Sequence, residues 1–175
     1  VIQIVDHLKA RAPGQFEWLI HTAGTAKAQD GALHVVNGAA AVDVRPLYPQ
    51  PLPTAGLSTD YPELMRLEEK QGYQDHDPRT RVAYYAFAPD DRTERVKFVT
   101  ALIPQRAQAR VRIERMPGPD SLGVRIEDGD KTTDVYLNLK ADGSIRHRNA
   151  NNRLGVWDTD AYLLALCASR ASQLA

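Results

Sequence analysis

The chain has 175 residues, 43% hydrophobic and 25% charged, the proportions of a folded globular unit rather than a disordered segment. Lys and Arg number 22, as do Asp and Glu, so the formal net charge is zero and the electrostatic signature of a nucleic-acid binder is missing. The length suits one domain with a real core, no apolar run reaches the about 18–20 residues that cross a bilayer, and the single Cys167 excludes an intramolecular disulfide or a Cys-rich zinc site.

In chain order, Ile2–Leu8 alternates like a strand directly after Val1, and this abrupt opening predicts a piece of a larger protein. Phe16–Thr22 reads as a second strand after the turn residues Pro13-Gly14, and Ala32–Val36 as a third after Asp30-Gly31. Asn37-Gly38 reads as a two-residue hairpin turn into Ala39–Arg45, where Val42 and Val44 point to one face and Asp43 and Arg45 to the other. Residues 1–45 are thus expected to form a β-meander.

Residues 46–78 carry prolines at 46, 49, 51, 53, 62 and 78 and no sustained alternation. They predict a long Pro-rich excursion, with a short helical turn over Tyr61–Lys70 because Pro is tolerated near a helix start. From 79 to 175 strands resume as Arg81–Phe87, Val96–Ile103, Ala109–Met116, Gly123–Glu127, Thr132–Leu139 and Ser144–Arg148, separated by hairpin-sized turns. Thr159–Arg170 mixes helix-favouring Ala and Leu with an all-β context, and one more buried strand is the expectation. The fold class that follows is all-β, an antiparallel β-sandwich.

No motif for catalysis stands out. His7, His21 and His34 lie in or beside predicted strands, His76 sits between two aspartates in the Pro-rich stretch, and none has the spacing of a metal site. Asp128-Gly129-Asp130 with Asp134 offers carboxylates, but the glycine and glutamate of an EF-hand loop are missing and a hairpin turn explains the run. There is no nucleophile elbow, phosphate loop or dinucleotide fingerprint.

One pattern suits an acidic ligand. In a strand, Arg110 and Arg112 emerge on one face, with Arg106 and Arg115 near the ends, and Arg146 and Arg148 form a second basic pair. The alternative is the solvated outer face that any antiparallel sheet presents. Trp157, beside Asp158, is the aromatic placed best for contact with a sugar ring, whereas Trp18 belongs in the core.

Several segments then point to a family. Ile4-Val5-Asp6-His7-Leu8, Phe16–Thr22, Val42–Pro46 with Leu47-Tyr48-Pro49, Phe98–Pro104 and Thr159-Asp160-Ala161, in this order, resemble the C-terminal β-sandwich of heparinase II/III-like polysaccharide lyases. The resemblance implies an N-terminal α/α toroid joined to a larger super-sandwich, and β-elimination on a uronic-acid-containing polysaccharide. It also implies a periplasmic or extracellular location and a metal, zinc in some members, in the parent protein.

The family's catalytic His and Tyr and its His-x-His segment have no counterpart among these residues, so no catalytic or metal-binding residue and no cofactor is assigned to this segment. The expected partners are an acidic polysaccharide and the toroid, with no nucleic acid and no membrane. The substrate-binding candidates are Arg110, Arg112, Arg146, Arg148 and Trp157. The competing expectations are an independent carbohydrate-binding β-sandwich and a purely structural accessory domain.

Overall fold

In the computed structural model, residues 1–49, 65–74, 77–105, 111–117, 121–140, 152–154, 157–159 and 161–169 are described. The protein is all-β, built from antiparallel sheets, two of which pack face to face as a β-sandwich in its first part, and among the described residues there is no helix. The chain divides into two compact units, Val1–Gln105 and Arg106–Ala175.

The first unit holds β1 (Ile2–Gly14), β2 (Trp18–His21), β3 (Thr25–Gln29), β4 (Ala32–Asn37), β5 (Ala40–Tyr48), β6 (Arg66–Gln74), β7 (Asp77–Ala88) and β8 (Thr93–Pro104). They form a five-stranded sheet in the order β1-β8-β5-β4-β3 and a three-stranded sheet in the order β2-β7-β6. The core lies between the two: Leu33, Val35, Val44, Val96 and Phe98 come from the larger sheet, and Leu67, Tyr85 and Phe87 from the smaller, with Met65 just before β6. Trp18 packs obliquely on Phe87 with ring centroids 5.6 Å apart, and its indole N–H donates to Asp6 Oδ2 at 2.7 Å. The expectation of a core tryptophan holds, and the hydrogen bond explains how its polar atom is accommodated.

Two tight turns shape this unit. Asp30 and Gly31 both have positive φ and join β3 to β4 in the backbone geometry that matches the strand twist. The β4–β5 hairpin closes one residue later than the sequence predicts, over Gly38-Ala39, with Gly38 alone at positive φ and Asn37 already paired to Ala40. At Gly24 a side chain is excluded outright, because a Cβ there would lie 2.1 Å from the Val36 carbonyl oxygen. That close approach brings the chain into β3, a strand the sequence reading passes over.

The borders of the Pro-rich stretch differ from expectation. β5 runs on through Pro46 to Tyr48, and the segment read as a helical turn is extended from Arg66 onward. Met65 and Leu67 turn into the core while Arg66, Glu68 and Lys70 turn away, a period of two that no helix could satisfy. Pairing with β7 therefore overrides local helix propensity. Residues 50–64, with the proposed helix start at Tyr61-Pro62, lie outside the described residues, as does His76.

The second unit holds β9 (Val111–Pro117), β10 (Ser121–Asp128), β11 (Lys131–Asn138), β12 (Asn152–Leu154), β13 (Trp157–Thr159) and β14 (Leu163–Ser169). Its four-stranded sheet runs β14-β11-β10-β9, and β12 and β13 form a short ribbon with β12 against β10 and β11. Leu122, Val124, Val135 and Leu137 are buried on one face. The Ala- and Leu-rich final stretch is strand, as expected, because β11 offers it a ladder from Leu137↔Leu163 to Lys131↔Ser169, but it is an edge strand with Leu163 and Cys167 exposed rather than the buried strand the sequence predicts. Asp128-Gly129-Asp130 is a hairpin turn, and the predicted strand Ser144–Arg148 lies outside the described residues.

Candidate functional site

The site is built on β8, whose residues Val96–Ala101 are buried on both sides of the strand. Phe98 and Val96 point into the core, so Arg95 and Lys97 emerge on the opposite, outer face. β1 pairs with β8 in a register that sets Lys9 opposite Arg95 and His7 opposite Lys97. Directly opposed side chains in an antiparallel pair have Cβ atoms only about 4.5–5.5 Å apart, and like charges there are destabilising. Lys9 and Arg95 thus oppose cation to cation, and His7 faces Lys97 in the next row. Arg11 follows in the irregular part of β1 between Lys9 and Gly14.

Lys9, Arg11 and Arg95 are exposed, and none of the three takes part in an ion pair among the described residues. Lys97, by contrast, is 7% exposed and has a polar or electrostatic partner of its own.

A cleft adjoins these rows. The last β5–β8 pair is Tyr48↔Val99, so the β8 edge from Phe98 back to Thr93 is left without β5 as a neighbour. The resulting space, about 210 Å³, is lined by Tyr48, Pro49, Pro89, Asp91, Thr93, Arg95, Val96 and Lys97. A phenol ring, proline faces, the Arg95 guanidinium and the Asp91 carboxylate thus meet in one depression, which suits a ligand with an apolar ring face, an anionic group for Arg95 and hydroxyls for Asp91.

The candidates read from the sequence have different settings. Arg112 lies on the exposed face of β9, but the register sets it opposite Glu127, with 3.9 Å between charged groups. On the same face Arg125 sits between Glu114 and Asp134 and grips Asp134 with two hydrogen bonds of 2.8 Å. That grip holds the Asp134 carboxyl below its ordinary range, against the opposing effect of partial burial. Trp157 is 50% exposed on the short β13. Arg110, Arg146 and Arg148 lie outside the described residues. No described contact brings Arg112 and Trp157 together.

His21 stacks on Tyr84, centroids 4.9 Å apart, and His7 belongs to the basic rows. His34 forms a 2.6 Å contact with Asp43 that the sequence reading missed. Counting outward from the observed Gly38-Ala39 turn places the two opposite each other, whereas the turn expected at Asn37-Gly38 would set His34 opposite Ala41, which is why the pair was missed. Among the described residues no group of three His, Cys, Asp or Glu side chains is arranged to hold a metal ion.

Comparison with protein-family models, with curated proteins and with solved structures finds no match to this chain.

Proposed function

We propose that this chain is the non-catalytic β-sandwich portion of a heparinase II/III-like polysaccharide lyase and that its first unit holds the acidic polysaccharide. The observation that carries the reading is the alignment of the exposed Lys9 with Arg95 across β1 and β8, beside the Tyr48 cleft. Opposed like charges cost stability in the free protein, and a polyanion bound over them removes that repulsion. Carboxylates or sulfates pair with guanidinium and ammonium groups, and a sugar ring has an apolar face for Tyr48. The antiparallel sandwich and the sequence resemblance support the family assignment.

In this reading the β-elimination chemistry belongs to the α/α toroid of the parent chain, with any metal of the parent, and the sandwich retains and orients the polymer. Such polymers do not enter the cytoplasm intact, which puts the parent protein in the periplasm or outside the cell. A second reading, a carbohydrate-binding module that acts alone, is favoured by one point: the cleft is lined entirely by first-unit residues.

The test mixes the 175-residue chain with heparin, hyaluronan and alginate, with dextran as the neutral control. Retention by the acidic polymers only, without growth of the absorbance of unsaturated uronate, is the expected result. Growth of that absorbance would reveal catalysis within this chain. Equal retention by dextran, or none by any polymer, would overturn the proposal.

A further inference from the structure

A second depression lies on the outer face of the five-stranded sheet, around β3–β5, and its chemistry differs from that of the basic rows. The β4–β5 register places His34 opposite Asp43, and the β3–β4 register adds Lys27 on the far side of His34. Asp43 Oδ1 lies 2.6 Å from His34 Nδ1, and Oδ2 accepts from Gln105 Nε2 at 2.6 Å. An ionised carboxylate only accepts, so Nδ1 carries the proton. In the neutral ring that assignment leaves a lone pair on Nε2, with the imidazole orientation fixed from behind. Gln105 is itself held in place, because its backbone N–H donates to the Ala41 carbonyl at 2.9 Å.

Arg45 stands two residues along β5 from Asp43 and on the same face. Its Nη2 donates to the main-chain carbonyl of Asp30 at 3.3 Å, in the tight β3–β4 turn, and its buried Nε has no acceptor. The carboxylate of Asp30 accepts from Gln29 at 3.1 Å, and that of Asp43 is taken up by His34 and Gln105. Among the described residues no carboxylate pairs with Arg45. Gln29, Asp30, His34, Asp43 and Arg45 line a cleft of about 210 Å³.

We infer that this cleft binds one small hydroxy-carboxylate, for which D-glucuronate serves as the probe. Arg45 takes the carboxylate, with donors in a fork that matches its two oxygens. His34 Nε2 accepts from a ligand hydroxyl, and Asp43 is a positioning residue that sets the ring and its tautomer. The site goes beyond the polyanion reading and stands on different residues.

The experiment titrates the ¹⁵N-labelled full chain with D-glucuronate, with D-glucose as the neutral control, and follows the His34 imidazole and Arg45 guanidinium signals. Glucuronate is expected to shift both groups and glucose neither. Arg45→Ala and, separately, His34→Ala weaken the affinity about tenfold or more, while the amide spectrum shows a folded chain. Asp43→Asn moves the imidazole ¹⁵N pattern away from the Nδ1–H tautomer and weakens glucuronate affinity while the amide spectrum of the folded chain is kept, whereas a merely structural role would leave the affinity alone. Lys131→Ala, in the other unit, is the control. Heparin retention is measured on the same Arg45→Ala sample, so failure here is distinguishable from failure of the polyanion reading. The inference is overturned by no shift at saturating glucuronate, by equal shifts with glucose, or by unchanged affinity in both alanine variants.

Discussion

The outer face of β1–β8 and the polar face of β9–β11 treat charge in opposite ways. On the polar face of β9–β11 Arg112 and Arg125 each have an acid across the ladder, Arg112 opposite Glu127 and Arg125 between Asp134 and Glu114. On β1–β8 the exposed Lys9 lies opposite Arg95, cation against cation. The first arrangement is what a solvated sheet face settles into by itself. In the second, Lys9 and Arg95 keep a like-charge repulsion inside a folded ladder, which the proposed polyanion would relieve. A basic stripe read along one strand is therefore a weaker signal than the charge of its cross-strand neighbours.

Four measurements break or sharpen that contrast. The largest effect is expected at Phe98, which is 1% exposed and points inward from the strand that carries Arg95 outward. Phe98→Ala should cost about 3–5 kcal/mol of stability through lost burial and a residual cavity, measured by denaturant unfolding. A much smaller loss would mean that β8 is not the rigid platform of the site.

Reversing the exposed pair comes next. Lys9→Glu together with Arg95→Glu should lower heparin affinity by about a hundredfold, or about 2.7 kcal/mol, with stability unchanged or slightly raised because Glu merely replaces one like-charge row by another. In the unaltered chain the same affinity should fall as salt rises, since exposed charges separated by more than about 8 Å are largely screened at physiological ionic strength. Retention that ignores both the reversal and the salt would sink the electrostatic account.

The acid limb of stability tests the paired face. The Asp134 carboxyl in the folded chain sits below its ordinary value of 3.8, first because of its hydrogen bonds to Arg125. A depressed folded-state pKa contributes stability that is complete above the ordinary value and is lost as pH falls through it toward the folded one. Asp134→Asn should lower the unfolding midpoint at neutral pH and flatten the decline below about pH 4, as followed by circular dichroism. An identical pH profile in the variant would show that the pair contributes nothing.

The smallest effect is expected at Arg112, whose side chain is 75% exposed. Arg112→Ala should change stability by no more than about 0.5 kcal/mol and leave heparin retention as it was. Loss of retention there would move the binding face to the second unit.

Much of the fold was legible. The β4–β5 and β10–β11 hairpins follow from alternation on either side of a Gly-containing turn, and the exposure of Trp157 follows from its polar surroundings. The strand at Arg66–Gln74 was also written in the alternation of Met65 and Leu67 with charged neighbours, but the prolines before it drew attention to the wrong feature. The candidate site was less legible. Its residues come from β1, the end of β5, the β7–β8 connection and β8, and only the pairing of β8 with β1 on one side and with the end of β5 on the other makes them neighbours.

From its sequence alone, this protein's extended, antiparallel character and its local hairpins were determined, because side-chain period and turn chemistry act over a few residues. The tertiary structure decided which strands lie side by side across long stretches of chain, and in what register. Register is set by how two apolar faces close over a shared core, so no local pattern could have shown that Lys9 meets Arg95 or that Arg112 meets Glu127.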